Sequence, residues 1–143
     1  MLMALQAGAS GIGWTPVPGL LGTDLLRVRT DFRVVPDPFQ PEREVVLVPA
    51  LAPEFALLQG RRADAAGNVV IGTAFDDRLL AQASTTVIVC VEEVREGAAD
   101  RLHGDEQVIP AAYVDILTVA PHEGTGRATL RYVESRDRAT VQP

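Results

Sequence analysis

Lysine is absent from the 143-residue chain, so its positive side chains are 13 arginines, set against 19 Asp and Glu for a net charge of -6. A Schiff-base enzyme needs a lysine amine, and a phosphate-binding P-loop needs Lys beside Ser or Thr. Neither chemistry is open to this chain. The acidic balance also argues against a nucleic-acid partner, because a phosphate backbone calls for a basic face. Cysteine is nearly missing too. With Cys90 alone there is no internal disulfide and no multi-cysteine zinc or iron–sulfur site, which fits a reducing, cytoplasmic setting. Serine occurs three times, at Ser10, Ser84 and Ser135, and none stands in a GxSxG elbow, which disfavours a serine triad. His103 and His122 lie in polar, glycine-containing segments without a carboxylate pattern around them, so they read as surface histidines rather than metal ligands. The longest apolar runs, around Val45–Leu51 and Val87–Val91, fall far short of the ~20 residues that span a bilayer. No membrane segment or cleavable leader is expected.

What is present, 47% hydrophobic and 22% charged residues, suits one globular domain over 1–143. A chain of this size can bury about 68–70% of the surface exposed when unfolded, enough for one core. Met1–Ala7 is rich in helix formers and runs into Gly8-Ala9-Ser10-Gly11-Ile12-Gly13, which cannot continue a helix cheaply. Residues 14–40, with prolines at 16, 18, 36 and 38, read as a winding excursion without regular structure. Glu44–Leu51 and Phe55–Gln59 read as strands, and Asp64-Ala65-Ala66-Gly67-Asn68 as a turn returning the chain into Val69–Ile71. Thr73 and Asp76 resemble a capping box opening a helix over Ala74–Ser84. Thr85–Val91, β-branched and without polar alternation, reads as a strand covered on both faces. A surface loop over Arg95–Gln107 and a strand over Tyr113–Val119 follow, and the packing of the tail, 122–143, is left open. The fold class is α/β: a layered, mostly parallel sheet flanked by helices.

Three constellations bear on function. Gly8, Gly11 and Gly13 are spaced GxxGxG, not GxGxxG, and follow a helix, which disfavours a dinucleotide site. They read either as a tight connection needing positive φ or as a loop whose backbone lets a ligand approach. Glu92 and Glu93 stand at a strand's carboxyl end, where sheet proteins place ligand-contacting groups. Alternation predicts one of them inward and one outward, or else a solvated end pairing with Arg95. Cys90, flanked by valines, reads as an inert core thiol.

Several segments together resemble the A subunit of family I coenzyme A transferases, the group that includes the glutaconate and 3-oxoacid enzymes. Ala7-Gly8-Ala9-Ser10-Gly11-Ile12 with Thr15-Pro16 and Gly22-Thr23-Asp24-Leu25 resembles the family's AGAxGI loop and the step after it. Val46-Leu47-Val48-Pro49-Ala50-Leu51 is similar to its LVPAL strand, and Arg62-Ala63-Asp64-Ala65-Ala66-Gly67-Asn68-Val69 to its RADxxGNV block. Val87–Val94, Ile109-Pro110, Val114-Asp115 and Ala120-Pro121 follow in the family's order. His122-Glu123-Gly124-Thr125 departs from the Gly-Ala-His-Pro pattern of glutaconate-type members, and Cys90 replaces a threonine.

The resemblance implies a CoA-transferase-like fold whose N-terminal half would precede Met1, leaving this chain as a C-terminal part. It implies an enzyme that moves coenzyme A between an acyl-CoA and a carboxylic acid, with coenzyme A as substrate and no bound cofactor or metal. The nucleophile is then a glutamate in a Ser-Glu-Asn-Gly setting of a B-type subunit; here the one asparagine, Asn68, follows glycine. This chain would contribute no catalytic side chain, and Gly8, Ala9, Ser10, Gly11, Ile12 and Gly13 would face substrate or the developing oxyanion. A sheet deprived of its opening strands exposes edges and apolar faces, so a hetero- or homo-oligomer is expected. The alternatives are a CoA-ester hydrolase on the same fold and a non-catalytic binding or assembly module.

Overall fold

The computed structural model describes residues 1–73, 76–120 and, for backbone only, 131–133. Two compact units divide the chain, residues 1–52 and 53–143.

The first unit begins with α1 (Leu2–Ala9), followed by β1 (Trp14–Val17), the short helix α2 (Leu25–Val28), β2 (Arg33–Pro36) and β3 (Glu44–Pro49). The strands form an antiparallel sheet in the order β1-β3-β2. The β-branched run Val45-Val46-Leu47-Val48 takes the centre, with Val46 and Val48 buried. The proline-bearing strands β1 and β2 take the edges, where a missing N–H costs no ladder bond. Here the structure corrects the expectation of an irregular stretch over 14–40. Two strands of only four residues each are too short to show periodicity between the prolines, and pairing with β3 makes them strands.

In the second unit β4 (Phe55–Ala63), β5 (Val69–Gly72), α3 (Asp77–Ala83), β6 (Thr86–Val94), β7 (Glu106–Ile109), a 3₁₀ turn (Ala111–Tyr113), β8 (Ile116–Val119) and β9 (Arg131–Val133) follow. They build a sheet of order β7-β5-β4-β6-β8-β9. The three central strands, β4, β6 and β8, run parallel, whereas β5, β7 and β9 pair antiparallel. The sheet is therefore mixed rather than mostly parallel. The reason is the turn at Asp64–Asn68, which returns the chain beside β4 without the crossover a parallel neighbour requires.

The core collects Ala56, Leu58, Val87, Val89, Val91 and Leu117 from one face of the parallel strands with Ala81 of α3 and Val114. The opposite face of β6, with Thr86, Ile88 and Cys90, is only half-buried, so the strand is not covered equally on both faces. Cys90 accordingly sits on the less covered side rather than in the core. Asp76 precedes α3 but makes no side-chain capping bond, so the predicted box does not form; Ala74 and Phe75 lie outside the described residues.

Candidate functional site

The glycine loop is built by the end of α1. Gly11, at φ +70°, takes the left-handed position after the Ser10 cap. Its N–H donates to the Gly8 carbonyl at 3.0 Å, and the Ile12 N–H donates to the Ala7 carbonyl at 2.9 Å. These two bonds make a Schellman motif. The Ser10 N–H also turns back, to the Gln6 and Ala7 carbonyls. Gly8 is required for a different reason: a Cβ there would run into the Leu51 carbonyl, where the chain after β3 crosses the helix. That crossing is held by Leu51 N–H to the Ala4 carbonyl at 2.8 Å and by Ala50 N–H to the Gly13 carbonyl at 2.9 Å. Around Gly11 and Gly13 there is open space, with no atom within 4 Å of a Cβ built on either. Ser10, Ile12 and Trp14 are exposed.

The structure therefore brings Gly8, Ala9, Ser10, Gly11, Ile12 and Gly13 together as one capped, open loop. Three of its amides are committed to closing the helix. Downstream, the Thr23 hydroxyl donates to the Leu20 carbonyl and Asp24 pairs with Arg27 at 3.2 Å, so the Gly-Thr-Asp step is a locally satisfied turn.

Asp64, Gly67 and Asn68 form a self-contained turn. Asp64 Oδ1 accepts the Ala66 and Asn68 N–H groups at 2.9 Å each, and Asn68 Nδ2 donates to Asp64 Oδ2 at 2.8 Å. Those hydrogen bonds hold the Asp64 carboxyl below its ordinary range even though burial pushes the other way. Asn68 Oδ1 accepts the Ala111 N–H at 3.0 Å, tying the turn to the 3₁₀ segment. Glu92 and Glu93 are both exposed, and Glu93 pairs with Arg95 at 3.4 Å, so neither points inward. Beyond Val91, β6 stays paired with β4 through Glu93 and Val94, while its own side chains there are exposed.

Sequence reasoning missed Arg62. Its side chain is buried, with Nη1 and Nη2 forking onto Glu106 at 2.7 and 2.8 Å, Nε on the Ala98 carbonyl at 3.1 Å and Nη2 on the Arg101 carbonyl at 2.9 Å. Glu106 also accepts the His103 N–H at 2.9 Å and Arg61 Nη1 at 3.1 Å. Arg62 above all, then the His103 amide, holds the Glu106 carboxyl far below the usual carboxylate range. The signal was available: Ala56, Leu58, Gly60 and Arg62 share the buried parity of β4, while Arg61 falls on the exposed one. The pair fastens the 95–107 segment to β4 and needs no ligand.

Fold and loop together place the chain in the coenzyme A transferase class of α/β proteins. More specifically, it belongs to the Coenzyme A transferase family, whose sequence profile matches residues 1–120. The A subunit of glutaconate CoA-transferase from Acidaminococcus fermentans is 30% identical over 136 residues, which take in 84% of this chain and 42% of that one. The crystal structure of glutaconate coenzyme A-transferase from the same organism superimposes with a TM-score of 0.72 at 28% identity, over 84% of this chain and 43% of that one. A crystal structure of the decarboxylase AibA/AibB, in a variant form, gives a TM-score of 0.69 at 32% identity over 82% of this chain and 42% of that one. The chain thus spans less than half the length of these relatives. The domain is A-subunit-like.

Proposed function

We propose that this chain is part of the A-type subunit of an enzyme that transfers coenzyme A between an acyl-CoA and a carboxylic acid. A B-type subunit supplies the glutamate nucleophile. The observation that carries this reading is the family match over residues 1–120, which includes the capped loop 8–13.

The glutamate carboxylate attacks the thioester carbonyl and expels the CoA thiolate, leaving a mixed anhydride. The thiolate then attacks the glutamyl carbonyl, releasing the first carboxylate and forming a glutamyl-CoA thioester. The second carboxylate takes the same two steps in reverse. Coenzyme A is a substrate in this scheme and no bound cofactor takes part. The chain's contribution is the wall at Gly8–Gly13. Because the amides of Ser10, Gly11 and Ile12 are committed to the helix cap, close approach falls to the open backbone at Gly11 and Gly13 and to the Ser10 hydroxyl.

The test co-expresses the chain with a B-type partner and supplies acetyl-CoA with a panel of carboxylic acids. Borohydride is added to trap the glutamyl thioester. Transfer that is lost on borohydride treatment after acyl-CoA exposure supports the reading, with the label on the B-type partner. Co-purification without transfer or trapping overturns it in favour of a non-catalytic module. Thioester cleavage that needs no acceptor acid overturns it in favour of a hydrolase. One observation favours a second reading, decarboxylation: the AibA/AibB decarboxylase is as similar to the chain as the glutaconate enzyme. Release of carbon dioxide from a carboxylated acyl-CoA separates that case.

A further inference from the structure

Residues 1–23 include no charged side chain, in a protein where 22% of residues have one, and residues 45–53 include none either. The fold puts the two stretches together. β1 pairs with β3 from Trp14↔Pro49 to Val17↔Val46, and the Leu51 and Ala50 N–H groups donate to the Ala4 and Gly13 carbonyls. Every charged side chain of the first unit falls within residues 24–44. There Asp24 pairs with Arg27 and Arg29 with Asp31. Arg33, on β2 and so across β3 from β1, turns Nη1 onto the Thr30 and Phe32 carbonyls at 2.6 and 2.9 Å.

At the capped loop this uncharged region is also an exposed apolar one. Ile12 and Trp14, on either side of Gly13, are 54% and 56% exposed, and the space over Gly11 and Gly13 is open. The polar contribution is the exposed Ser10 hydroxyl, since the Ser10, Gly11 and Ile12 amides close the helix. Single exposed apolar residues are ordinary, but grouped ones mark binding surfaces, and ligand sites are mostly apolar with a few placed polar groups. A carboxylate brought against such a wall gives up water and finds no cation in exchange. A methylene chain laid there gains by leaving water.

We propose that Ile12 and Trp14, beside the open backbone of Gly11 and Gly13, form the wall that receives the acyl chain of the acyl-CoA, and that the acyl group it selects is apolar and has no second carboxylate. The substrate class is then monocarboxylic rather than dicarboxylic. That the ligand is an acyl-CoA rests on the proposed CoA-transfer reading; the uncharged wall is what narrows the class.

Trp14 is the chain's one tryptophan, so its emission reports this wall directly. The experiment titrates hexanoyl-CoA, acetyl-CoA, glutaryl-CoA and free CoA into the chain co-expressed with a B-type partner, with the same complex carrying Trp14→Phe as the blank. Transfer from each ester is assayed in parallel. Hexanoyl-CoA gives a saturable blue shift of the Trp14 emission and binds at least about 10-fold more tightly than acetyl-CoA. Glutaryl-CoA binds no more tightly than acetyl-CoA and leaves the emission in place. Ile12→Arg supplies a cation at an exposed position and raises the affinity for glutaryl-CoA relative to hexanoyl-CoA by about 5-fold or more. Binding of glutaryl-CoA by the unaltered complex as tight as that of hexanoyl-CoA overturns the inference, and so does hexanoyl-CoA binding, read by calorimetry, without a change at Trp14. Both results leave the transfer reading intact. Absence of transfer from every ester, with the hexanoyl-CoA shift present, removes the proposed reaction and supports the apolar wall. Failure of the complex to form, or to bind any CoA ester, overturns both.

Discussion

Arg62 carries its charge into the interior of the second unit, where two carboxylate oxygens and two carbonyls meet its guanidinium. Removing one member of such a pair leaves the other buried and unmatched. Arg62→Ala is therefore expected to cost about 3–5 kcal/mol, read from chemical denaturation. The pH dependence has a definite sign. Glu106 titrates lower in the folded chain than its ordinary value of 4.5, so its contribution is complete above that value and is lost as pH falls below it. Denaturation midpoints followed downward from neutral pH should drop below about pH 4.5, and Glu106→Gln should flatten that part of the profile. An unchanged profile in Glu106→Gln would show that other carboxylates dominate acid unfolding. Arg62 was legible in principle, from its parity on β4. Its partner was not, since Glu106 lies 44 positions away and only the folded 95–107 segment brings it near.

At the scale of elements, the glycine loop and the Asp64 turn were the most legible features, because the hydrogen bonds that close each of them join residues within five positions. Gly11 at φ +70° is expected to resist side chains: Gly11→Ala should lower stability by about 1–2 kcal/mol, with open space around it ruling out a packing clash as the cause. Gly8→Ala should be worse, because the added methyl meets backbone that cannot rotate away. A melt series of the two variants would separate conformational from steric cost. Asp64→Ala removes three hydrogen bonds from the β4–β5 turn and should destabilise by about 1–3 kcal/mol, measured by thermal denaturation. The short strands β1 and β2 were illegible for the opposite reason. Four residues interrupted by proline carry no period, and their strand character comes from β3.

For the molecule as a whole, the exposed Phe55 and Leu57 of β4 and the half-covered face of the parallel strands leave apolar surface open to water. Sedimentation velocity at micromolar concentration should therefore show concentration-dependent association, reduced by Leu57→Lys; a well-behaved monomer at all concentrations would contradict this. The sequence by itself determined the α/β class, the turn and loop devices, the family and the absence of lysine chemistry, because these depend on residue type and short spacing. Tertiary structure alone decided that the sheet is mixed and that Arg62 finds Glu106. It also decided that Glu92 and Glu93 face solvent and that, among the described residues, no strand pairs with Phe55–Gly60 on the side away from β6. Each of these depends on which distant strand lies alongside, and strand pairing is a long-range choice that no local window of sequence contains.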